Sequence, residues 1–169
     1  MSLTQREPSK ASHEEASQQF LTFLVGREEY GIDILRVQEI KAFSTVTAVP
    51  NTPVCIRGVM NLRGTVIPVL DLRIKFGLAD PRYDKFTVIV VVKLRSKVVG
   101  LVVDAVSDVL DIRTASIERP PELVTDAETA FIRGMATLAE RLIMLVDVDQ
   151  IITLESLSAA ERGAGSRAA

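Results

Sequence analysis

The residues that could carry out catalysis or bind a metal are few in this chain of 169 residues. His13 is the only histidine, and it lies in a polar N-terminal segment. A Ser-His-Asp or Cys-His site needs a histidine held in the fold. No cluster of His, Cys and Asp has the spacing of metal ligands, and no P-loop or dinucleotide fingerprint occurs. The sequence therefore predicts no catalytic nucleophile, no metal site and no cofactor.

Carboxylates are the other candidates for acid–base chemistry. Asp104, Asp108 and Asp111 could form a catalytic set, but we interpret them as strand-end and turn acids that face water. Asp71 and Asp147 each follow an apolar run, and capping of a short helix explains both. We therefore expect an interaction module and not an enzyme.

Composition narrows the class of partner. Hydrophobic residues make up 47% of the chain, whereas aromatic residues make up 5% and tryptophan is absent. That weighs against stacking platforms for single-stranded nucleic acid. A net charge of -2, from 20 basic and 22 acidic residues, gives no basic field for nucleic acid or an anionic membrane. The N-terminus lacks the apolar region of a secretory signal, and no apolar run is long enough to span a bilayer. A single cysteine cannot form a disulfide within the chain. We expect a cytoplasmic protein.

One conspicuous cation, Arg63, lies at the tip of a predicted hairpin. Two apolar runs, residues 56–62 and 65–70, flank the turn Asn61-Leu62-Arg63-Gly64. Gly64 supplies the backbone freedom that a tight reversal needs. A charged turn residue beside so much apolar surface could be a contact point, and a solvated turn arginine is the alternative.

Short apolar runs rich in valine and isoleucine, with turn signals about every ten residues, favour strands over helices. A helical turn is expected after Asp33, a short helix from Asp71 to Gly77, and a C-terminal helix that begins at Asp149 or Thr153. Residues 1–18 have the composition of a disordered tail, and residues 158–169 are expected to fray. The strands are expected at residues 20–25, 30–32, 37–40, 46–49, 56–62, 65–70, 86–92, 98–103, 106–112, 131–138 and 142–148.

The hairpin around Arg63 has a second copy in the chain. Aligned without gaps, residues 56–62 match residues 132–138, and residues 66–72 match residues 142–148. We infer two similar β units, each opened by one hairpin and closed by another. Each unit has roughly 60 to 70 residues, which is small for a separate core, so the units should pack together.

The two copies differ at the turn. The second copy has Thr137-Leu138-Ala139-Glu140, so Ala139 stands where the first copy has Arg63. A residue that the fold requires should occur in both copies. Arg63 is therefore a candidate for function.

The chain resembles the CheW family of coupling proteins in bacterial chemotaxis from residue 19 to about residue 157. The motifs that carry the resemblance are Glu-Tyr-Gly-Ile-Asp-Ile at 29–34, Val-Gln-Glu-Ile at 37–40, the segment 56–72 and the segment 98–106. The resemblance implies two intertwined SH3-like five-stranded β-barrels, at about 19–80 and 85–150 with strand exchange between them, and a short C-terminal helix. Proteins that join this domain to a kinase or a receiver need a longer chain.

The resemblance also implies an adaptor that joins the cytoplasmic tip of chemoreceptors to the regulatory domain of the histidine kinase CheA. The protein would be monomeric alone and multivalent in arrays at the inner face of the membrane. The receptor would pack in a groove between the barrels, with Val37 and Ile89 as apolar contacts. Glu39 and Arg63 would pair with each other or reach the receptor. The implied receptor-binding residues are Val37, Glu39, Arg63, Ile89 and Gly100, and the implied kinase-binding residues are Val46, Arg57, Gly58 and, on the second barrel, Leu123.

Two other classes of protein remain as alternatives. One is a small-ligand-binding β-barrel, which the near absence of converging polar residues among the apolar strands disfavours. The other is an enzyme, which the missing nucleophile–base pair disfavours.

Overall fold

The computed structural model describes residues 16–44, 46–78, 81–121 and 131–151, and most of these residues lie in strands. This confirms the all-β prediction. Two α-helices of four residues, Leu72–Lys75 and Val148–Ile151, and two 3-10 turns, Ile34–Arg36 and Thr114–Ser116, complete the described elements. The strands are β1 (Ser17–Val25), β2 (Glu28–Asp33), β3 (Val37–Ala42), β4 (Ile56–Leu62), β5 (Thr65–Asp71), β6 (Val88–Leu94), β7 (Lys97–Val103), β8 (Ala105–Arg113), β9 (Ile132–Leu138) and β10 (Arg141–Val146).

The strands form two five-stranded sheets. Sheet 1 has the order β3-β6-β7-β5-β4, and sheet 2 has the order β8-β1-β2-β10-β9. The opening hairpin of each half of the chain thus joins the sheet that contains the closing hairpin of the other half. Each sheet draws on both halves, so the limits 19–80 and 85–150 describe halves of the sequence and not the two sheets.

Both sheets are closed on themselves in the same way. After β3, the chain crosses to β4, where the N–H of Thr47 donates to the carbonyl of Val59 (2.9 Å) and the N–H of Val59 donates back (2.8 Å). After β8, Glu118 and Met135 exchange the same pair of bonds, each at 2.8 Å. Val59 and Met135 are corresponding positions of the repeat. These bridges cover the edges of both sheets.

The parallel strand pairs repeat as well. In sheet 1, β5 pairs with β7 so that Val69 lies opposite Gly100. In sheet 2, β10 pairs with β2 so that Leu145 lies opposite Gly31. Val69 and Leu145 correspond in the repeat, which makes Gly31 the counterpart of Gly100.

The largest apolar core lies between the two sheets. Phe23 and Ile32 from sheet 2 and Val90 and Leu101 from sheet 1 are all fully buried in it. Phe76, which follows the first short helix, stacks at 4.7 Å on Phe131, which precedes β9. The two halves share one core, as their small size predicts.

Each barrel also has a smaller apolar core of its own. Sheet 1 encloses a cluster that includes Ile67, Ile89 and Val91. Sheet 2 encloses a cluster that includes Phe20 and Ile143. Both interiors contain packed side chains, which weighs against a ligand-binding barrel.

Some predicted boundaries were wrong. Residues 46–49 form no strand apart from the bridge at Thr47, because the chain bends there to close sheet 1. β1 begins at Ser17, inside the predicted tail, because Ser17 and Gln18 pair with the end of β8. The turn after Asp33 is confirmed, with Asp33 Oδ1 accepting from the N–H of Leu35 at 2.9 Å. The rest of the N-terminal tail and everything beyond residue 151, including a helix from Thr153, lie outside the described residues.

Candidate functional site

Arg63 occupies a left-handed turn at the tip of the β4–β5 hairpin. Its φ is 51° and that of Gly64 is 91°, as a two-residue reversal of this type requires. The side chain of Asn61 accepts from the N–H of Gly64 at 2.8 Å and holds the turn. Ala139 has a φ of 55° in the second copy. The backbone conformation is therefore repeated, and the arginine side chain is not.

Arg63 pairs with Glu39 on the edge strand β3. Its Nη2 lies 2.5 Å from Oε2 of Glu39, and 65% of the arginine side chain is exposed. The hydrogen bond from Arg63 lowers the pKa of Glu39 and keeps the carboxylate charged. Of the two predicted arrangements, the pairing of these residues with each other is present in the free chain.

Val37 lies beside this ion pair on β3. Val37 and Glu39 are half-buried, whereas Gln38 and Ile40 are exposed. A β-bulge lies between Val37 and Glu39, which pair with the adjacent residues Val92 and Val91 of β6. Because adjacent strand residues point to opposite faces, the bulge breaks the predicted sharing of a face. Val37 packs against the central core. Leu35, in the preceding 3-10 turn, is 85% exposed and was not identified from the sequence. Leu35 and Val37 thus precede Glu39 in the chain, the first exposed and the second packed on the core.

Ile89 and Gly100 lie inside sheet 1. Ile89 is fully buried, and a Cβ atom on Gly100 would lie 2.8 Å from its Cγ2. Gly31 has the corresponding place in sheet 2, against Leu145 and Phe20. The expectation that Ile89 supplies direct apolar contact is therefore corrected, because its side chain has no exposed surface. Both residues belong to the packed wall of sheet 1.

The segment that closes sheet 1 crosses β4 at the Thr47–Val59 bridge, close in sequence to Val46, Arg57 and Gly58. A Cβ atom on Gly58 would lie 1.9 Å from the carbonyl oxygen of Thr47, so only glycine lets the closing segment cross β4 here. Val46 precedes this crossing and packs against the sheet 1 core. Arg57 is exposed. Leu123, predicted on the second barrel, lies outside the described residues.

Tyr83 packs beside Arg57, although the sequence did not identify it as a candidate functional residue. Its ring lies 5.2 Å from Cζ of Arg57, 4.6 Å from Cζ of Arg73 and 4.5 Å from the ring of Phe43. Its hydroxyl donates to Oδ2 of Asp71 at 3.1 Å. Burial, with the charge of Asp71, raises the pKa of Tyr83. The sequence signal that could have identified Tyr83 is an aromatic residue within a polar linker, in a chain with only 5% aromatic residues.

A buried ion network supports Tyr83. Nε and Nη2 of Arg73 both donate to Asp71 at 2.9 Å, and Nη1 lies 3.1 Å from Oδ1 of Asp104. Arg73 is 1% and Asp71 0% exposed. Burial alone would lower the pKa of Arg73, but hydrogen bonds and charges from Asp71 and Asp104 raise it. The guanidinium is therefore permanently charged in the interior.

This network changes the interpretation of the aspartates. Asp104 does not simply face water, because it accepts from Arg73 and, at 2.6 Å, from the N–H of Gly26 in the β1–β2 turn. Asp108 and Asp111 are exposed as predicted. Asp71 and Asp147 both cap short helices, accepting from backbone N–H groups two residues on at 2.9 Å. The capping prediction is confirmed.

Sheet 2 has its own arginine–carboxylate bridge. Arg141 begins β10, and its Nη2 lies 2.5 Å from Glu29 and 3.2 Å from Asp108 on the edge strand β8. The hydrogen bond from Arg141 lowers the pKa of Glu29. The second copy of the hairpin has no arginine at the position of Arg63. In both sheets, however, an arginine of the closing hairpin forms an ion pair with a carboxylate on an edge strand. Arg63 differs in its greater exposure, because the side chain of Arg141 is 40% exposed.

The described residues limit the kind of site that the protein can form. No group of three or more His, Cys, Asp or Glu residues in these ranges is placed to hold a metal ion. None of the helices described is long and apolar enough to cross a membrane.

The family model of the CheW-like domain matches residues 19–156. The chain belongs to the CheW family. The chemotaxis protein CheW of Klebsiella aerogenes is 43% identical over 158 residues, covering 94% of this chain and 95% of that protein. CheW of Bacillus subtilis is 32% identical, with 85% of this chain and 92% of that protein covered. Protein FrzA of Myxococcus xanthus is 34% identical over 74% of this chain and 78% of its own length.

A solved structure agrees with the family assignment. The crystal structure of the scaffolding protein TtCheW from Thermoanaerobacter tengcongensis matches with a TM-score of 0.76 and 35% identity, covering 83% of this chain and 95% of that chain. The chain is a CheW-family scaffold protein of chemotaxis and not an enzyme.

Proposed function

We propose that this protein couples chemoreceptors to the histidine kinase CheA in cytoplasmic chemotaxis arrays. An adaptor of this kind needs two contact surfaces on one rigid body. Sheet 1 offers an ion pair with an exposed arginine at the hairpin tip, and a second surface where the closing segment crosses β4. The observation that carries the proposal is Arg63, an exposed arginine in a left-handed turn whose second copy has alanine.

The receptor surface consists of Val37, Glu39 and Arg63, with Leu35 beside them. A receptor's helical hairpin would lay an apolar ridge on Leu35 and Val37, which is a helix-in-groove mode of binding. Burial of these side chains sets the affinity, because an exposed ion pair contributes at most about 1 kcal/mol. The charges of Glu39 and Arg63 set the register of the helices. Ile89 and Gly100 act by shaping the barrel wall.

The kinase surface consists of Val46 and Arg57 around Gly58. Gly58 takes part through the backbone crossing that it permits, and Arg57 reaches outward beside it. A second kinase-facing surface near Leu123 is part of the proposal and rests on the family resemblance alone. The regulatory domain of CheA is the proposed partner at both.

Transmission of a signal follows from the shared core. Because one core joins the two sheets, the protein behaves as a rigid coupler between receptor and kinase. A change in receptor geometry is passed to the kinase as a change in position. Individually modest contacts become strong when many are linked in an array.

Two matched arginine variants test the proposal. Arg63→Ala should weaken binding to a receptor cytoplasmic fragment by up to about fivefold and leave binding to the CheA regulatory domain unchanged. Arg57→Ala should do the reverse. Both arginines are exposed, so both variants should melt within a few degrees of the unmodified chain. Co-sedimentation with each partner separately, together with thermal melting, gives the readouts.

The outcome is decisive in either direction. Loss of receptor binding in a folded Arg63→Ala variant supports the proposal. Unchanged receptor binding, or melting of the variant far below the unmodified chain, contradicts the assignment of Arg63 to the receptor surface.

A further inference from the structure

Tyr83 connects the surface residue Arg57 to the buried ion network. The guanidinium of Arg57 lies over the ring of Tyr83, with Cζ 5.2 Å from the ring centroid. A guanidinium over an aromatic face is attracted by the ring quadrupole. The exposed arginine therefore has a preferred position on the surface before any partner binds.

The ring is itself fixed from three sides. Its hydroxyl donates to the fully buried Asp71, its face lies 4.6 Å from Cζ of Arg73, and the ring of Phe43 packs on it at 4.5 Å. Arg73 also donates to the backbone carbonyl of Arg82, the residue before Tyr83. Hydrogen bonds to Arg73 and Asp71 thereby hold the linker that carries Tyr83 against the end of β5.

The corresponding arginine of the second copy is held differently. Arg133 lies 5.6 Å over the ring of Phe20 and donates to the side chain of Gln18 at 3.2 Å. Phe20 is a fully buried core residue of β1, whereas Tyr83 is 39% exposed and comes from a linker. The aromatic support of Arg57 is therefore not part of the repeated scaffold.

We propose that Tyr83 is a positioning residue for the kinase surface, and that its ring holds the Arg57 guanidinium in the orientation that the kinase domain binds. This inference rests on the proposed function, since it assigns a new residue to the same surface. Phe43 extends the effect to the start of the closing segment that contains Val46, because its ring packs on the Tyr83 ring. A pre-oriented arginine loses less conformational entropy when it binds.

A double-mutant cycle separates positioning from a merely structural role. In the full chain, Arg57→Ala should weaken binding of the CheA regulatory domain about tenfold, and Tyr83→Leu about fivefold. If Tyr83 acts through Arg57, the double variant should also bind about tenfold more weakly, well short of the roughly fiftyfold that independent effects would give. Tyr83→Phe keeps the ring and should stay within about twofold of the unmodified chain. Phe86→Leu changes an exposed aromatic of the same linker and should have no effect.

The results distinguish this inference from the proposed function. Additive effects of the two substitutions, or unchanged binding by Tyr83→Leu, overturn the inference and leave the kinase surface in place. No binding by the unmodified chain, or no effect of Arg57→Ala, overturns the kinase surface and the inference with it. If Tyr83→Leu fails to fold, NMR of the unmodified chain decides. Nuclear Overhauser contacts between the Arg57 side chain and the Tyr83 ring support the positioning, and their absence overturns it.

Discussion

Gly58 and Gly134 explain why the Ile-Arg-Gly pattern occurs twice in the sequence. At each glycine the segment that closes the sheet passes directly over the strand. A Cβ atom on Gly58 would lie 1.9 Å from the Thr47 carbonyl oxygen, and one on Gly134 would lie 2.6 Å from Cγ2 of Ile117. The obstacle at Gly58 is backbone and very close, whereas at Gly134 the nearest atom is a side-chain methyl and the backbone oxygen of Glu118 lies farther away, at 3.1 Å.

Substitution of these glycines should therefore destabilise the fold unequally. We expect Gly58→Ala to lower the free energy of unfolding by about 3 kcal/mol and Gly134→Ala by about 1–2 kcal/mol. Gly64→Ala meets no atom within 4 Å and should cost only about 1 kcal/mol, from its φ of 91°. Urea unfolding of the three variants gives the order. Equal losses at Gly58 and Gly64 would contradict the proposed steric role of Gly58.

Glu29 gives the fold a measurable dependence on pH. Arg141 lowers the pKa of Glu29 below its ordinary value of 4.5, so the folded state favours the charged carboxylate. This stabilisation is complete above about pH 4.5 and is lost as the pH falls through the lowered pKa of the folded state. Glu29→Gln should be less stable at pH 7, and its stability should fall less steeply on acidification.

Urea unfolding between pH 3 and pH 7 measures this dependence for Glu29→Gln. The control is Glu28→Gln, an exposed neighbour on the same strand. Parallel pH profiles for Glu29→Gln and the unmodified chain would show that the Arg141 pair does not contribute to acid sensitivity.

The aspartates that cap the two short helices should contribute unequally to the free energy of unfolding. Asp71 and Asp147 cap them in the same way, but Asp71 also neutralises the buried Arg73. Asp71→Ala should lower the free energy of unfolding by about 3–5 kcal/mol because the buried Arg73 loses the carboxylate that accepts from its Nε and Nη2 and keeps only the partly exposed Asp104 as a charged partner. Asp147→Ala should cost about 1 kcal/mol, the usual value of a helix cap. Similar losses for the two variants, measured by urea unfolding, would show that the buried pair adds nothing to the cap.

The elements themselves were largely predictable, because their signals are local. Valine-rich runs, turn glycines and capping aspartates lie within a few residues of the structure that they cause. The burial of Arg73 was not recognised because two of its partners, Arg82 and Asp104, lie 9 and 31 residues away. Residues 46–49 were assigned to a strand from composition, but their pairing is limited by a crossing that only the folded sheet defines.

At the scale of the whole molecule, the repeat predicted two similar units but not which strands each unit contains. The pairing of β2 with β10 joins residues more than 100 positions apart, for which the sequence has no local signal. The candidate site shows the same limit. Arg63 was identified by comparing the two copies, whereas the burial of Ile89 follows from its packing over Gly100.

The exchange of hairpins predicts that the two barrels unfold together. The central core contains strands of both sheets, so loss of packing in one sheet should weaken the other. Ile143→Val in the sheet 2 core should lower the free energy of unfolding by about 1 kcal/mol. Native-state hydrogen exchange should show that same loss at amides of β6 and β7 in sheet 1. Leu142→Ala, at an exposed neighbouring position, serves as the control. A loss confined to amides of sheet 2 would mean that the barrels unfold independently, and the protein would then not act as a rigid coupler.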